Sequence, residues 1–105
     1  MSQLFARGGQ VLEFQLYLQK VYDGIKEVGG LCYDPVNDWL WVSDSERAAL
    51  FVFDAELTHL LATYKVPDIH NAESVCVDHK NSCVWVGLDD DNTCCIYKIA
   101  FTGLN

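Results

Sequence analysis

The sequence is short of basic residues: seven Lys and Arg stand against fifteen Asp and Glu, for a net charge of −8. Such a balance argues against nucleic acid and anionic membrane surfaces as partners. Solubility is its plainest consequence, and a cationic partner is the alternative. Long apolar runs are also lacking, and none approaches the length of a membrane span. The opening residues, MSQLFARGGQ, have neither an apolar signal core nor a cleavage site, so a cytoplasmic protein is expected. No three-turn apolar stripe of helical period stands out, which sets helical solenoids aside.

Paired cysteines are missing as well. The count is five, an odd number, with no C-x-x-C spacing. This is a poor disulfide framework and weak support for zinc. Cys32 and Cys76 read as buried free thiols that behave as small hydrophobes. Cys83, Cys94 and Cys95 are expected to come close if the strands carrying them pair. Catalytic constellations are absent too. His59 reads as part of an exposed outer strand and His79 as part of a turn, and neither has a paired nucleophile.

What is present is a repeat. Leu31 to Val42, LCYDPVNDWLWV, returns as Val75 to Val86, VCVDHKNSCVWV, at a constant offset of 44, with five of twelve positions identical. Cys32, Asp34, Asn37, Trp41 and Val42 match Cys76, Asp78, Asn81, Trp85 and Val86. Each copy reads as an apolar strand, a tight turn and a second apolar strand. Pro35 presets a turn φ, and Asx side chains bond their own backbone nearby. The β-branched and aromatic residues on either side favour strands. Third strands follow at Ala49–Phe53 and Cys94–Ile99, and Leu57–Val66 reads as a fourth, outer strand. The stretch Gly87–Thr93 reads as the connection between the second copy's middle strands.

A period in the low forties with about four short strands per unit is the signature of propeller blades; an ordinary sandwich or barrel is the alternative. The expected fold is all-β, with two four-stranded β-propeller blades per chain. Residues 1–9 form a lead-in, 10–53 a first repeat unit and 54–105 a second. Gln10–Tyr22 alternates Leu12, Phe14, Leu16 and Leu18 with Glu13, Gln15, Tyr17 and Gln19. That alternation, and its place 44 residues before Glu56–Val66, predicts a spare outer strand. Helix is the competing reading, because Glu, Leu, Gln and Lys are good helix formers.

Two blades do not close a ring, since propellers have roughly four to eight. The spare strand would complete the second blade of a neighbouring chain, head to tail. A homo-oligomer is therefore expected, a trimer of six blades in preference to a tetramer. A fragment of a longer protein, or a strand folding back on its own chain, is the alternative.

GLCYDPVNDWLWVSDSERAALFVFD, and later ESVCVDHKNSCVWVGLDDDNTCCIYKI, resemble blades of the SdiA-regulated and esterase-like propeller families, and more loosely NHL-type blades. The resemblance spans Val28 to about Ile99. It implies a commonly six-bladed propeller in which an acidic residue opening the inner strand lines the axis and binds a metal. Only Glu73 matches that place; Gly29 takes it in the first blade.

Glu73, Asp68, His70 and Asn71 are candidate ligand-binding residues near the ring axis, with an exposed polar loop as the alternative. Repeated carboxylates around a narrow axis would bind a cation or raise their own pKa. Asp89, Asp90 and Asp91 could join Glu73 in holding Ca²⁺, although their spacing is not that of an EF-hand and a solvated turn also accounts for them. Trp39, read as pointing opposite to Trp41, is a candidate for stacking on a sugar. The expected function is a noncatalytic binding or interaction module for a small molecule, glycan or peptide. The alternative is a metal-dependent esterase- or lactonase-like hydrolase using Glu73, a reading that rests on the family resemblance.

Overall fold

The computed structural model describes residues 8–65, 71–90 and 93–104. The described residues are mostly β, in two antiparallel sheets with one α-helix. Helix α1 is Gly8–Val21. Strands β1 (Val28–Asp34), β2 (Trp39–Asp44), β3 (Ala49–Asp54) and β4 (Leu60–Lys65) form a four-stranded sheet in chain order. Strands β5 (Ala72–Asp78), β6 (Cys83–Asp90) and β7 (Thr93–Ala100) form a three-stranded sheet. A short 3-10 turn, Phe101–Gly103, follows.

The repeat is visible in the ladder. Cys32 pairs with Trp41, and Cys76 with Trp85; Asp34 pairs with Trp39, and Asp78 with Cys83. Both hairpin turns end on a residue of positive φ, Asp38 at 58° and Ser82 at 52°. The strand β6 runs on to Asp90, so Asp89 lies in the ladder opposite Cys94 rather than in a connecting loop. The same register pairs Cys83 with Ala100, at the far end of the hairpin from Cys94 and Cys95. Those three cysteines are therefore not brought together, contrary to expectation.

The expected first strand is a helix. Helical spacing buries Phe14 and Leu18, with Val21 and Tyr22 packed beside them. It leaves Leu16 and Tyr17 exposed, at 52% and 47%. Helix-forming residues favour this local choice, and tertiary packing confirms it. One face of the four-stranded sheet carries Leu40, Val42, Ala49, Phe51 and Phe53, all buried with α1, Ile25 and Val28. Gln15 Oε1 accepts from the Val28 N–H at 2.8 Å, and Gln19 Nε2 donates to the Ile25 carbonyl at 2.9 Å. These bonds stitch the helix to the chain that returns to β1. Because Gln10–Tyr22 is not a strand, its donation to a neighbouring chain is overturned as a route to assembly.

The other face of the four-stranded sheet carries Trp41, Leu50 and Val52, which pack on Ala72, Val75, Val84 and Val86 of the second sheet. The strands β1 and β5 meet closely at this junction. A Cβ on Gly29 would lie 1.8 Å from the Ala72 carbonyl oxygen, and one on Gly30 2.7 Å from that of Glu73. Only glycine lets the two backbones approach this far.

Candidate functional site

Two copies of one turn flank the junction. In each, an Asp carboxylate caps the turn that an Asn closes. Asp34 Oδ1 accepts from the Val36 and Asn37 N–H groups at 3.0 and 3.4 Å, and Asp34 Oδ2 from Asn37 Nδ2 at 3.1 Å. Asp78 accepts from the Asn81 N–H at 3.1 Å and from Asn81 Nδ2 at 2.7 Å. This is the Asx-turn chemistry that makes Asp and Asn recur.

The copies then diverge. Asp78 also accepts from Trp85 Nε1 at 3.1 Å. Asp34 is instead met by His79 Nε2, from the second sheet's turn, at 2.7 Å. The Asp34 side chain is fully buried, and that of His79 is 31% exposed. Burial acts to raise the Asp34 pKa, but hydrogen bonds from Asn37, His79 and the Val36 and Asn37 N–H groups outweigh it. The carboxylate is held below its ordinary range and stays ionised at neutral pH. Trp41 Nε1, the counterpart of Trp85 Nε1, is buried with no hydrogen-bond partner among the described residues.

These groups border a cavity of about 180 Å³ between the sheets. Trp39, Trp41 and Tyr64 wall it from the first sheet, and His79, Phe101 and Leu104 from the second, with Asp34 and Asn37 at the first turn. Trp41 stacks on Tyr64 with ring centroids 5.8 Å apart and planes 15° apart. His79 stands edge-on to Phe101 at 5.5 Å. The Phe101 N–H donates to the Ser82 carbonyl at 2.9 Å, which ties the 3-10 turn to the second hairpin and seats Phe101 and Leu104 here. The space slightly exceeds cavities of about 150 Å³ that take benzene.

Among the described residues proposed from sequence as ligand or metal contacts, Trp39 borders this cavity and Glu73, Asn71 and Asp89 do not. Trp39 lies two residues from Trp41 on one strand and shares its face, which corrects the expectation that they point oppositely. Glu73 and Asn71 lie near the start of β5, whereas His79 follows its end. Glu73 is exposed, and partial burial, then the charges of Asp89 and Glu27, push its pKa up. Asp68, His70 and Asp91 lie outside the described residues, as does the Asp90 side chain. Among the described residues no group of three or more His, Cys, Asp or Glu side chains is placed to hold a metal ion. No described helix is long and apolar enough to cross a membrane.

Sequence reasoning missed the pairing of His79 with Asp34. Its one signal was the exchange, at equivalent turn positions, of Pro35 for His79. No protein-family model matches the chain, and a comparison with curated proteins likewise gave no match.

Proposed function

We propose that this chain is a noncatalytic binding module built from two propeller-type blades, and that it holds a small ring-bearing ligand in the cavity between its sheets. The observation that carries the reading is the aromatic wall of the cavity, beside which the Trp41 N–H is buried with no partner among the described residues. Unsatisfied buried donors are rare and call for a partner. A ligand with one hydrogen-bond acceptor and a flat apolar face would supply it, while the rings of Trp39, Tyr64 and Phe101 contact its body. The Asp34 carboxylate and the net charge of −8 favour neutral or cationic ligands over anions. None of the eight described residues that line the cavity is Ser, Thr, Cys or Lys, which favours binding over covalent chemistry at His79.

The 44-residue offset, the equivalent hairpins and the face-to-face packing of the sheets support the blade reading. The second sheet ends on β7, where Ile96 is 74% exposed. Association with further copies through that sheet completes the reading, in place of the donated strand. A monomer by light scattering at micromolar concentration would remove this part.

The binding claim is tested by ligand-observed NMR with neutral, cationic and anionic single-ring compounds. Neutral or cationic hits should quench tryptophan fluorescence and weaken about tenfold or more in Trp41→Phe, which keeps the ring but loses the donor. Hits indifferent to both Trp41→Phe and Trp39→Ala, or no hits at millimolar concentration, overturn it.

A further inference from the structure

Cys32 and Cys76 occupy the same place in their repeat units, 44 residues apart, on the two strands that approach most closely across the junction. The contacts fix the register between them. Gly29 faces Ala72 and Glu73, and Gly30 faces Glu73 and Ser74, so the strands run alongside one another in the same direction at that offset. Continuing two residues brings Cys32 beside Cys76. The Cys32 thiol donates to the Tyr33 carbonyl at 3.6 Å and the Cys76 thiol to the Val77 carbonyl at 4.0 Å, and the Val77 N–H and the Cys76 thiol are near enough to Cys32 to act on its pKa. Both cysteines are free; Cys32 is half-buried against the inter-sheet core and Cys76 is exposed, so the expectation of two buried thiols holds for neither in full.

We propose that Cys32 and Cys76 are a modification site: a thiol pair that a low-molecular-weight disulfide converts to a cross-link between β1 and β5. The exposed Cys76 meets the oxidant first. Its thiolate attacks one sulfur of the small disulfide, the S–S bond breaks, and one small thiolate leaves and takes a proton. The resulting mixed disulfide at Cys76 is attacked by Cys32 after its thiol loses a proton to water. A Cys32–Cys76 bond forms and the second small thiol departs. Two protein thiols are oxidised and one small disulfide is reduced to two thiols, so the step balances. Burial, the largest influence, and the neighbouring Cys76 hold the Cys32 thiol above its ordinary pKa. That favours the order given, with Cys32 as the resolving thiol.

The bond would join the strands two residues before Asp34 and three before His79, bracing the junction on which the cavity depends. The proposal itself stands without any ligand.

The full chain is equilibrated in glutathione buffers of increasing oxidised fraction, blocked with an alkylating agent and mapped by mass spectrometry without reduction. The expected result is a peptide pair joined through Cys32 and Cys76, loss of two hydrogens in the intact mass, and a melting temperature higher by roughly 10 °C. Cys32→Ser should stop at the Cys76 mixed disulfide with no rise in melting temperature, and Cys76→Ser should leave Cys32 reduced. Linkage of Cys76 to Cys95, a link between chains, or glutathione persisting on wild-type Cys76 overturns the proposal.

Discussion

Asp34 and Asp78 cap the same turn, and Trp41 and Trp85 sit seven residues beyond them on equivalent strands, yet the two pairs end in different states. In the second unit the tryptophan N–H reaches its own aspartate, and Lys98 lies over the indole at 5.6 Å. The motif closes on itself. In the first unit the aspartate is taken by His79 from across the junction, and the tryptophan lines a cavity with its N–H buried and unpartnered among the described residues. One motif therefore serves two purposes: where it faces outward it completes a turn, and where a second sheet packs on it, its groups are redirected to the interface. The difference comes from what lies opposite, because the motif residues are identical.

The largest break in this comparison should come from removing the two aspartates. Asp34→Ala strips four donors of their acceptor inside the junction and should cost about 3 kcal/mol in urea unfolding. Asp78→Ala leaves its donors near solvent and should cost clearly less. Equal losses would mean that the buried His79 contact adds nothing. A second asymmetry, at the equivalent positions Gly29 and Glu73, should follow. Gly29→Ala drives a Cβ into the Ala72 carbonyl and should cost about 2 kcal/mol. Glu73→Ala, at an exposed site, should stay within about 0.5 kcal/mol.

The same two places respond oppositely to pH. Asp34 has its folded pKa lowered, so its contribution is complete above its unfolded value of about 3.9 and is lost as pH falls through the folded value. Asp34→Asn should therefore flatten the acid limb of a stability profile. Glu73 has its folded pKa raised, so its favourable share is complete below about 4.3 and is lost as pH rises through the folded value. Glu73→Gln should gain a few tenths of a kcal/mol at neutral pH by removing a charge disfavoured by partial burial and by repulsion from Asp89 and Glu27, and nothing at pH 3. A profile for Glu73→Gln parallel to wild type would remove both the burial and the repulsion at Glu73 from the account.

Much of the β framework was legible because its chemistry is local. Asp and Asn three residues apart specify an Asx turn, and the apolar runs beside it specify strands. The helix was not legible from alternation, because Leu12, Phe14, Leu16 and Leu18 satisfy period two while Phe14 and Leu18 also satisfy period 3.6. The apolar face that Leu40, Val42, Phe51 and Phe53 present together decided between them, and that face exists only once the sheet has formed. The cavity was hidden for a related reason. His79, Phe101 and Leu104 come from a turn and a terminal 3-10 segment of the other sheet, and no spacing in the chain records that they meet Trp39 and Trp41.

The smallest effect separates the two turns at their last residues, Asp38 and Ser82, which hold φ of 58° and 52°. An L-residue in this region is strained relative to glycine. Ser82 is exposed, so Ser82→Gly should relieve the strain, partly offset by the greater freedom of glycine in the unfolded chain, for a net gain of about 0.5 kcal/mol. Asp38 has a second role, because its Oδ1 accepts from the Tyr33 hydroxyl at 2.5 Å. Asp38→Gly loses that bond, and its exposed setting limits the loss to about 0.5 kcal/mol, so the two changes should cancel. If chemical denaturation showed both variants stabilised alike, the Tyr33 bond would be worth nothing in water, and the turns would differ only in what reaches Asp34 from across the junction.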